Sequence, residues 1–378
     1  MRLLGLEVTL RHKMQFNSVL DSINVYEAGK PIELVVREFG IEPDKIIKLA
    51  SNENPYGCSS KVSEAINKHS SEVYLYPDDS MYALKSSLGK HLGVSKKELI
   101  IGAGSDQVIE MAIRAKSDSS QPILMNSITF AMYSIYAAQL GVEVIRTATR
   151  EHDLDEFYAL YTEKKPSIIF LCTPNNPTGD AIKADKLLEF IDKIDRNTLV
   201  VVDGAYMEYA VEKDEDFAIN ANELVKNFEH VLYLGTFSKS YGLGGMRVGY
   251  GVAQEEIIEA LYKLRPPFNV TTLSLVAATA ALKDEEFIEK SISKNFEQMK
   301  LFEEFAKDNG LEYIESFTNF ITWVLPQTLN STKISDALLK DGIIIRNLAS
   351  YSMNALRITI GTAKQNQKFF KQMKKILG

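Results

Sequence analysis

Short apolar runs alternate with amphipathic segments through the middle of the chain, and this alternation constrains the fold more than any other feature. Three continuous runs are typical of buried strands: Ser167–Cys172, Leu199–Asp203 and Val231–Thr236. Further strands are predicted in ELIIGAGS, Gln121–Asn126 and Val142–Thr147. Helical periodicity is found at Asp106–Ala115, Ala131–Leu140 and Lys183–Ile194. The alternation predicts an α/β fold whose large domain has a mostly parallel central sheet with helices on both faces.

The last third of the chain follows a different pattern. A helix predicted at Glu255–Leu264 ends at Arg265-Pro266-Pro267, a sequence typical of a hinge. One long amphipathic helix is predicted at Phe287–Asn309, followed by an apolar strand at Phe320–Leu325 and a mixture of helix and strand. This pattern predicts a smaller α+β domain, and a length of 378 residues suits two domains.

Composition narrows the classes of function. Lys and Arg number 43 against 50 Asp and Glu, and a net charge of −7 argues against a non-specific nucleic-acid binder. Cys58 and Cys172 form no CxxC pair and the five histidines show no HExxH spacing, so neither a disulfide framework nor a metal site is predicted, and the cytoplasm is expected. Ser119–Val142 lacks charge, but interrupting polar residues favour a buried strand and a helix over a membrane span.

Unusual residues follow four of the predicted strands. The segments are GAGSD after Ile101, CTPNNPTGD from Cys172, DGAY from Asp203 and TFSKS from Thr236. Ligands of such sheets bind at the carboxyl ends of the strands. We therefore expect the four segments to form one site.

Lys239 is the most informative single residue. Most lysines are solvated, but this one follows a buried strand, lies between Ser238 and Ser240, and precedes a glycine-rich turn and Arg247. A lysine in a partly dry pocket has a lowered pKa and forms a Schiff base with an aldehyde cofactor. Arg247 offers paired donors to a phosphate.

Asp203 ends a run of valines, where an acidic side chain is costly unless it has a partner. One interpretation is a helix N-cap. The other is a carboxylate that faces a protonated pyridine nitrogen, with Tyr206 in reach of the ring oxygen of the same cofactor. Asn176, in a rigid Pro-Asn turn, is a further candidate for that oxygen, and the loop at Gly104 offers free N–H groups to a phosphate.

In this order, the four segments resemble the fold type I pyridoxal-phosphate aminotransferases. Further segments resemble the histidinol-phosphate aminotransferase branch of that family over essentially the whole chain; they are INVYEAGKP, KLASNENPYG, YPD, GLGGMRVGY, IIIR and ALRITIGT. The resemblance implies pyridoxal 5'-phosphate as cofactor and transamination between L-histidinol phosphate and 2-oxoglutarate, giving imidazole acetol phosphate and L-glutamate in histidine biosynthesis. It also implies a homodimer with shared active sites and neither a nucleic-acid nor a membrane partner.

The resemblance assigns roles residue by residue. Lys239 would hold the cofactor covalently and Asp203 would pair with its ring nitrogen, while Asn176 and Tyr206 would bond its ring oxygen. Phe130 would stack on the ring. The phosphate would be surrounded by Gly104, Ser105, Asp106, Ser238 and Arg247, with Tyr56 from the neighbouring subunit. Substrate anions would be held by Arg357, and by Arg346 with Tyr26 of the neighbouring subunit.

Together these patterns divide the chain into four parts. They are a dispensable tail or the result of an upstream start (1–13), an arm joining the small domain and the dimer interface (14–60), a large cofactor-binding domain (61–265) and a small domain (266–378) that begins at the Pro-Pro hinge. The sequence departs from the family pattern at Gln107, Ile128, Phe130 and Asn347, where Glu, Pro, Tyr and Asp are usual. These departures bear on fine specificity rather than on the reaction class.

Several alternatives stay open at this point. The same scaffold hosts aromatic amino-acid aminotransferases and a threonine-phosphate decarboxylase. A non-catalytic cofactor-binding regulator is disfavoured, because the residues before Met14 are too few for a helix-turn-helix. A nicotinamide dehydrogenase rests only on the partial glycine loop, in which Gln107 replaces the third glycine. Arg357, which alternates with apolar residues, would on its own be compatible with a solvent-facing side chain.

Overall fold

A computed structural model describes residues 14–23 and 32–378 of the chain. Its strands are β1 (Ile47–Leu49), β2 (Leu99–Gly102), β3 (Ile123–Met125), β4 (Val144–Arg146), β5 (Ile168–Cys172), β6 (Leu199–Asp203), β7 (Val231–Thr236), β8 (Gly249–Val252), β9 (Glu312–Ile314), β10 (Phe320–Val324), β11 (Ile343–Asn347) and β12 (Ala355–Thr359). Its α-helices are α1 (Ile32–Phe39), α2 (Ser60–His69), α3 (Tyr82–Leu92), α4 (Ser105–Lys116), α5 (Met132–Gln139), α6 (Leu154–Lys164), α7 (Ala184–Ile191), α8 (Met207–Lys213), α9 (Ala221–Asn227), α10 (Glu255–Tyr262), α11 (Thr272–Ala281), α12 (Glu285–Asp308), α13 (Ser331–Lys340) and α14 (Ala363–Leu377).

Seven strands form the large sheet in the order β2-β8-β7-β6-β5-β3-β4. Successive neighbours from β7 to β4 pair in parallel, and β8 is antiparallel to both β2 and β7. Every residue of β5 and β6 is buried. Since Ile169 packs in one apolar cluster and Phe170 in another, both faces of the sheet are covered. The predicted α/β fold with a mostly parallel sheet is confirmed.

The sequence pattern does not predict strand β8, because it indicates only a glycine-rich turn before that strand. Gly249 and Gly251 lower its strand propensity. Both glycines are nevertheless required, because a Cβ on Gly249 would lie 2.1 Å from the Ser105 nitrogen and one on Gly251 would lie 3.0 Å from three apolar side chains. Close packing against α4 and its entry loop therefore explains the glycines.

A five-stranded sheet, ordered β1-β11-β12-β10-β9, forms the second layer. Its main core contains Trp323 together with Phe302 and Phe305 of α12 and Phe369 of α14. The N-terminal segment contributes β1, which pairs in parallel with β11. The predicted α+β character of the C-terminal third is thus present. The N-terminal segment adds β1 as an edge strand of its sheet.

Helix α12 spans the two cores. Ile288 packs against the core of the large sheet, whereas Met299 and Phe302 lie in the core of the small sheet. Arg265 is fixed to Asp79 by two hydrogen bonds of 2.8 and 2.7 Å, and Leu275 of α11 belongs to the large-sheet core. The domain division at 265/266 stays a prediction, and this packing favours a boundary inside α12.

The uncharged segment at 119–142 contains β3 and α5, as expected. In the described part of the chain, every helix is too short or too polar to span a bilayer.

Candidate active site

A cleft that opens to solvent and holds about 530 Å³ of space lies at the carboxyl ends of β5, β6 and β7. It is lined by Gly104, Ser105, Asp106, Phe130, Cys172, Asn176, Asp203, Ala205, Tyr206, Thr236, Ser238, Lys239 and Arg247. All four predicted segments therefore meet in one place, and ten of the eleven predicted cofactor residues line it. The eleventh, Tyr56, does not. The roles assigned to these residues remain predictions.

Three lining residues were not predicted: Cys172, Ala205 and Thr236. Cys172 and Thr236 are the last residues of β5 and β7, and Ala205 follows β6 by two positions. Their position at the strand ends was the available signal. Burial raises the pKa of the Cys172 thiol, so it is a neutral wall of the cavity at physiological pH.

Lys239 follows β7 and is partly buried. Its Nζ donates to the Ser51 carbonyl oxygen at 3.3 Å and lies 5.6 Å from the ring centre of Tyr206. Burial, together with the positive charges of Arg357 and Arg247, lowers the pKa of Lys239 to about 8. Roughly one amine in ten is then neutral at pH 7, far more than for an ordinary lysine, which makes Lys239 a nucleophile.

Asp203 ends β6 and is 2% exposed. Its Oδ2 accepts from the Tyr133 hydroxyl at 2.6 Å, and its Oδ1 accepts from the Ala205 amide at 3.1 Å. Burial raises the pKa of Asp203 to about 6, against the opposing effect of the Tyr133 hydrogen bond. Because both hydrogen-bond partners are neutral, the carboxylate is a buried anion suited to a cationic ligand atom. The bond to Ala205 closes a local turn, but Asp203 is not a helix N-cap, because α8 begins at Met207 and its N-cap residue is Tyr206.

Asn176 lies in the loop after β5, where the Thr173–Pro174 and Asn176–Pro177 peptide bonds are cis. Its Oδ1 accepts from Nη1 of Arg357, so its Nδ2 is the group left to donate into the cavity. Arg357 is 8% exposed, and its Nη2 donates to the Ala50 carbonyl at 2.6 Å. The interpretation of Arg357 as a solvent-facing side chain is therefore wrong, since the side chain connects the small sheet to the cavity wall.

The phosphate end of the cavity is formed by the start of α4 and by Arg247. Gly104 precedes α4 with a φ of +79°, and a Cβ there would lie 2.6 Å from Nη2 of Arg247. That nitrogen lies 3.3 Å from Asp106, and Nη1 lies 3.5 Å from Oγ of Ser238. A helix N-terminus, a guanidinium and a hydroxyl in one cup favour a phosphate group.

Arg346 lies directly opposite Arg357 in the antiparallel pair of β11 and β12. Opposed residues of such a pair share one face of the sheet, so two guanidinium groups extend from that face, and guanidinium groups bind carboxylates and phosphates. The pair is therefore suited to an anionic substrate group. Tyr26, predicted to assist Arg346, lies outside the described residues.

Tyr56 lies away from the cavity of its own chain, with its ring centre 5.1 Å from Nζ of Lys294. This position is compatible with a role in the site of a neighbouring subunit.

The residues present fit pyridoxal 5'-phosphate. The cup around Gly104 matches the phosphate, the buried Asp203 matches a protonated ring nitrogen, and Lys239 matches the aldehyde. Phe130 adds an aromatic side chain to the cavity lining, and Asn176 and Tyr206 add polar groups.

Comparison with known proteins leads to one family. Residues 44–373 match the family described as aminotransferase class I and II. The histidinol-phosphate aminotransferases of Sulfurimonas denitrificans and Sulfurovum sp. are 61% and 56% identical over 364 residues, which cover 96% of this chain and 100% of each relative. The solved histidinol-phosphate aminotransferase of Sinorhizobium meliloti, in complex with pyridoxal-5'-phosphate, has a TM-score of 0.88 at 24% identity, covering 98% of this chain and 99% of its own.

Proposed function

The chain belongs to the class I and II aminotransferases, and we propose that it transfers the amino group of L-histidinol phosphate to 2-oxoglutarate, producing imidazole acetol phosphate and L-glutamate in histidine biosynthesis. The family resemblance predicted from the motifs is confirmed. Pyridoxal 5'-phosphate is the cofactor, and a nicotinamide dehydrogenase is excluded by the family.

One observation carries the proposal: Lys239 and Asp203 line the same cavity. The first is an amine with a pKa lowered to about 8, and the second is a buried carboxyl with a pKa of about 6. Near pH 7 the amine is partly neutral and the carboxyl mostly ionised. This combination suits a covalently held aldehyde at one end of a ring and a protonated nitrogen at the other.

When bound, pyridoxal 5'-phosphate supplies an electron sink for the α-carbon of an amine substrate. Lys239 would anchor it in the resting protein, and its released Nζ would accept the α-proton of the substrate as general base and return it as general acid. Asp203 would hold a proton on the ring nitrogen by ion pairing, and its own orientation is fixed by Tyr133 and Ala205.

Two anionic substrates must bind in turn, since histidinol phosphate carries a phosphate ester and 2-oxoglutarate carries two carboxylates. Arg357 and Arg346 lie opposite each other and provide guanidinium forks for both kinds of anion. Phenylalanine has a single carboxylate, so an aromatic aminotransferase would need only one of the two. The pair favours histidinol phosphate over the aromatic alternative.

The working unit that we propose is a homodimer with shared sites, supported by the position of Tyr56 outside its own cavity. Hybrid complementation tests it. Lys239→Ala and Tyr56→Ala, each impaired alone, should regain activity when mixed and refolded, because one site of the mixed dimer then has both native residues. No recovery on mixing, or activity in a species that sediments as a monomer, would refute shared sites.

We place the reaction in the cytoplasm. Cys58 and Cys172 are both free thiols, as expected in a reducing compartment.

A substrate panel tests the proposed reaction. The purified protein, loaded with pyridoxal 5'-phosphate, is assayed for glutamate formation from 2-oxoglutarate with histidinol phosphate, phenylalanine or O-phosphothreonine as donor. We expect histidinol phosphate to have the highest kcat/KM and Lys239→Ala to be inactive with every donor. Preference for phenylalanine, or release of CO2 from O-phosphothreonine, would replace the proposed substrate by one of the alternatives on this scaffold.

A further inference from the structure

We infer that Asn52 and Thr359 are positioning residues which orient Tyr206, so that its hydroxyl group donates a hydrogen bond into the cofactor cavity. The inference rests on the proposed function, in which Tyr206 faces the ring oxygen of pyridoxal 5'-phosphate. It concerns residues of two distant segments, neither of which lines the cavity.

The hydrogen bonds among the three residues have a defined direction. The backbone N–H of Asn52 donates to Oγ1 of Thr359 at 3.0 Å. The Thr359 hydroxyl therefore donates its own hydrogen to another acceptor, which is the side-chain Oδ1 of Asn52, also at 3.0 Å. A side-chain amide has one oxygen and one NH2 group. With Oδ1 facing Thr359, Nδ2 of Asn52 must face Tyr206, and it donates to the Tyr206 oxygen at 2.8 Å.

Tyr206 therefore accepts one hydrogen bond from Asn52 and keeps its hydrogen for another partner. Its side chain is 2% exposed and lines the cavity. Burial raises the pKa of its phenol, so the hydrogen is present throughout the working pH range. A phenol held in this way is a donor aimed at an acceptor such as an anionic ring oxygen.

The backbone of Asn52 supports the same arrangement. Asn52 is 1% exposed and has a φ of +55°, a left-handed conformation that asparagine tolerates better than most residues. Its carbonyl oxygen accepts from Nδ2 of Asn319 at 2.9 Å. A strained residue with four hydrogen bonds in a buried position is typical of a functional constraint.

The network also connects two parts of the site. Thr359 lies two residues after Arg357 on β12, so both side chains lie on the same face of that strand. Tyr206 belongs to the segment after β6 of the large sheet. The strand that offers Arg357 to the substrate thus also fixes the hydrogen-bond direction of a cofactor-facing tyrosine.

Thr359→Val tests the inference, because it keeps the branched shape and removes the hydroxyl. Without that hydroxyl the Asn52 amide is free to turn, and Tyr206 loses its forced role as donor. A donor to the ring oxygen favours the deprotonated form of the bound cofactor, so its loss raises the pH at which the absorbance of the loaded protein changes. We expect an upward shift of about half a pH unit or more in Thr359→Val, since a net hydrogen bond has roughly this effect.

Thr359→Ser is the matched control and should titrate like the wild type, because it retains the hydroxyl. Tyr206→Phe should give the largest upward shift, and adding Thr359→Val to Tyr206→Phe should give no further shift. Should Thr359→Val fail to fold, as judged from thermal unfolding of the cofactor-free protein, Asn52→Gly takes its place, since glycine accepts the positive φ and removes the amide.

The outcomes separate the two claims. If Thr359→Val (or Asn52→Gly) changes absorbance at the same pH as the wild type while Tyr206→Phe changes at a higher pH, the inference is overturned and the proposed function stays intact. Equal shifts in the presence and absence of the Tyr206 hydroxyl would overturn it as well, because the effect would then bypass Tyr206. A wild-type protein that shows no cofactor absorbance would overturn both.

Discussion

The Tyr133 hydroxyl donates a 2.6 Å hydrogen bond to Oδ2 of Asp203, and both side chains are almost fully buried. Tyr133 is held in place by stacking on Phe170 at 4.4 Å between ring centres and by an edge contact with Phe130 at 5.6 Å. The bond lowers the pKa of Asp203 against the larger effect of burial. Tyr133 therefore orients the carboxylate and favours its charged form.

Tyr133→Phe should weaken catalysis without removing the fold. Loss of a hydrogen bond to a charged group raises the pKa of Asp203 further, and we expect kcat/KM to fall about tenfold at pH 7. The acidic limb of the kcat/KM profile should move to higher pH. Tyr158→Phe, at an exposed tyrosine on α6, is the control and should leave both unchanged. An unshifted acidic limb in Tyr133→Phe would contradict the role given to this bond.

Burial of Asp203 should make the cofactor-free protein less stable as pH rises. Its pKa is about 6 in the folded protein and about 4 in an unfolded chain, so the folded state binds the proton more tightly. Stability from this group is complete below pH 4 and is lost as pH rises through 6. We expect the wild type to lose about 1 kcal/mol relative to Asp203→Asn between pH 5 and pH 7, measured by denaturant unfolding. Parallel stability curves would show that Asp203 titrates normally.

The two opposed arginines should divide the substrates between them. In the proposed site, Arg346→Gln would remove one charged partner of a dianionic phosphate, and we expect kcat/KM for histidinol phosphate to fall about 10- to 100-fold. Any slow reaction with phenylalanine should change less than about threefold, because one carboxylate needs only Arg357. Arg346→Lys keeps the charge but not the fork and should be intermediate. Equal losses for both substrates in Arg346→Gln would refute this division.

Gly242 and Gly245 belong to the same turn, but we expect substitution by alanine to destabilise the protein only at Gly242. Gly242 has a φ of +69°, and a Cβ there would lie 1.9 Å from the Gly57 carbonyl oxygen, whereas a Cβ on Gly245 meets nothing within 4 Å. Gly242→Ala should lower the free energy of unfolding by about 2–4 kcal/mol and weaken cofactor retention. Gly245→Ala should match the wild type in both. Similar behaviour of the two variants would show that the contact with Gly57 does not constrain the turn.

Polar residues at or just after strand ends were predictable, because the sequence there changes from apolar to polar residues. Asp203, which ends β6, and Lys239, three positions after β7, are examples, and both line the cavity. Hydrogen-bond partners that are far apart in the sequence were not predictable. Tyr133 is 70 positions from Asp203 and Thr359 is 307 positions from Asn52, and no local pattern indicates those hydrogen bonds.

Contacts between distant segments add to what single segments indicate. The hinge at Pro266-Pro267 stays a prediction, and beside it Arg265 is fixed to Asp79 and α11 packs in the large-sheet core. Gln107, for which the family resemblance predicts glutamate, accepts from the Ala103 amide at 2.8 Å and from Nδ2 of Asn269 at 2.6 Å. An amide oxygen and a carboxylate oxygen are both acceptors, which explains why this departure leaves the loop intact.

Reductive trapping of the cofactor tests directly whether Lys239 carries it and whether histidinol phosphate releases it. Borohydride reduction of the loaded protein, followed by peptide mass mapping, locates the lysine that bears pyridoxal 5'-phosphate. We expect the label on Lys239 in the resting protein, its disappearance after histidinol phosphate is added alone, and its retention after phenylalanine is added. A label on another residue, no label, or a Lys239 label that histidinol phosphate does not remove would contradict the account.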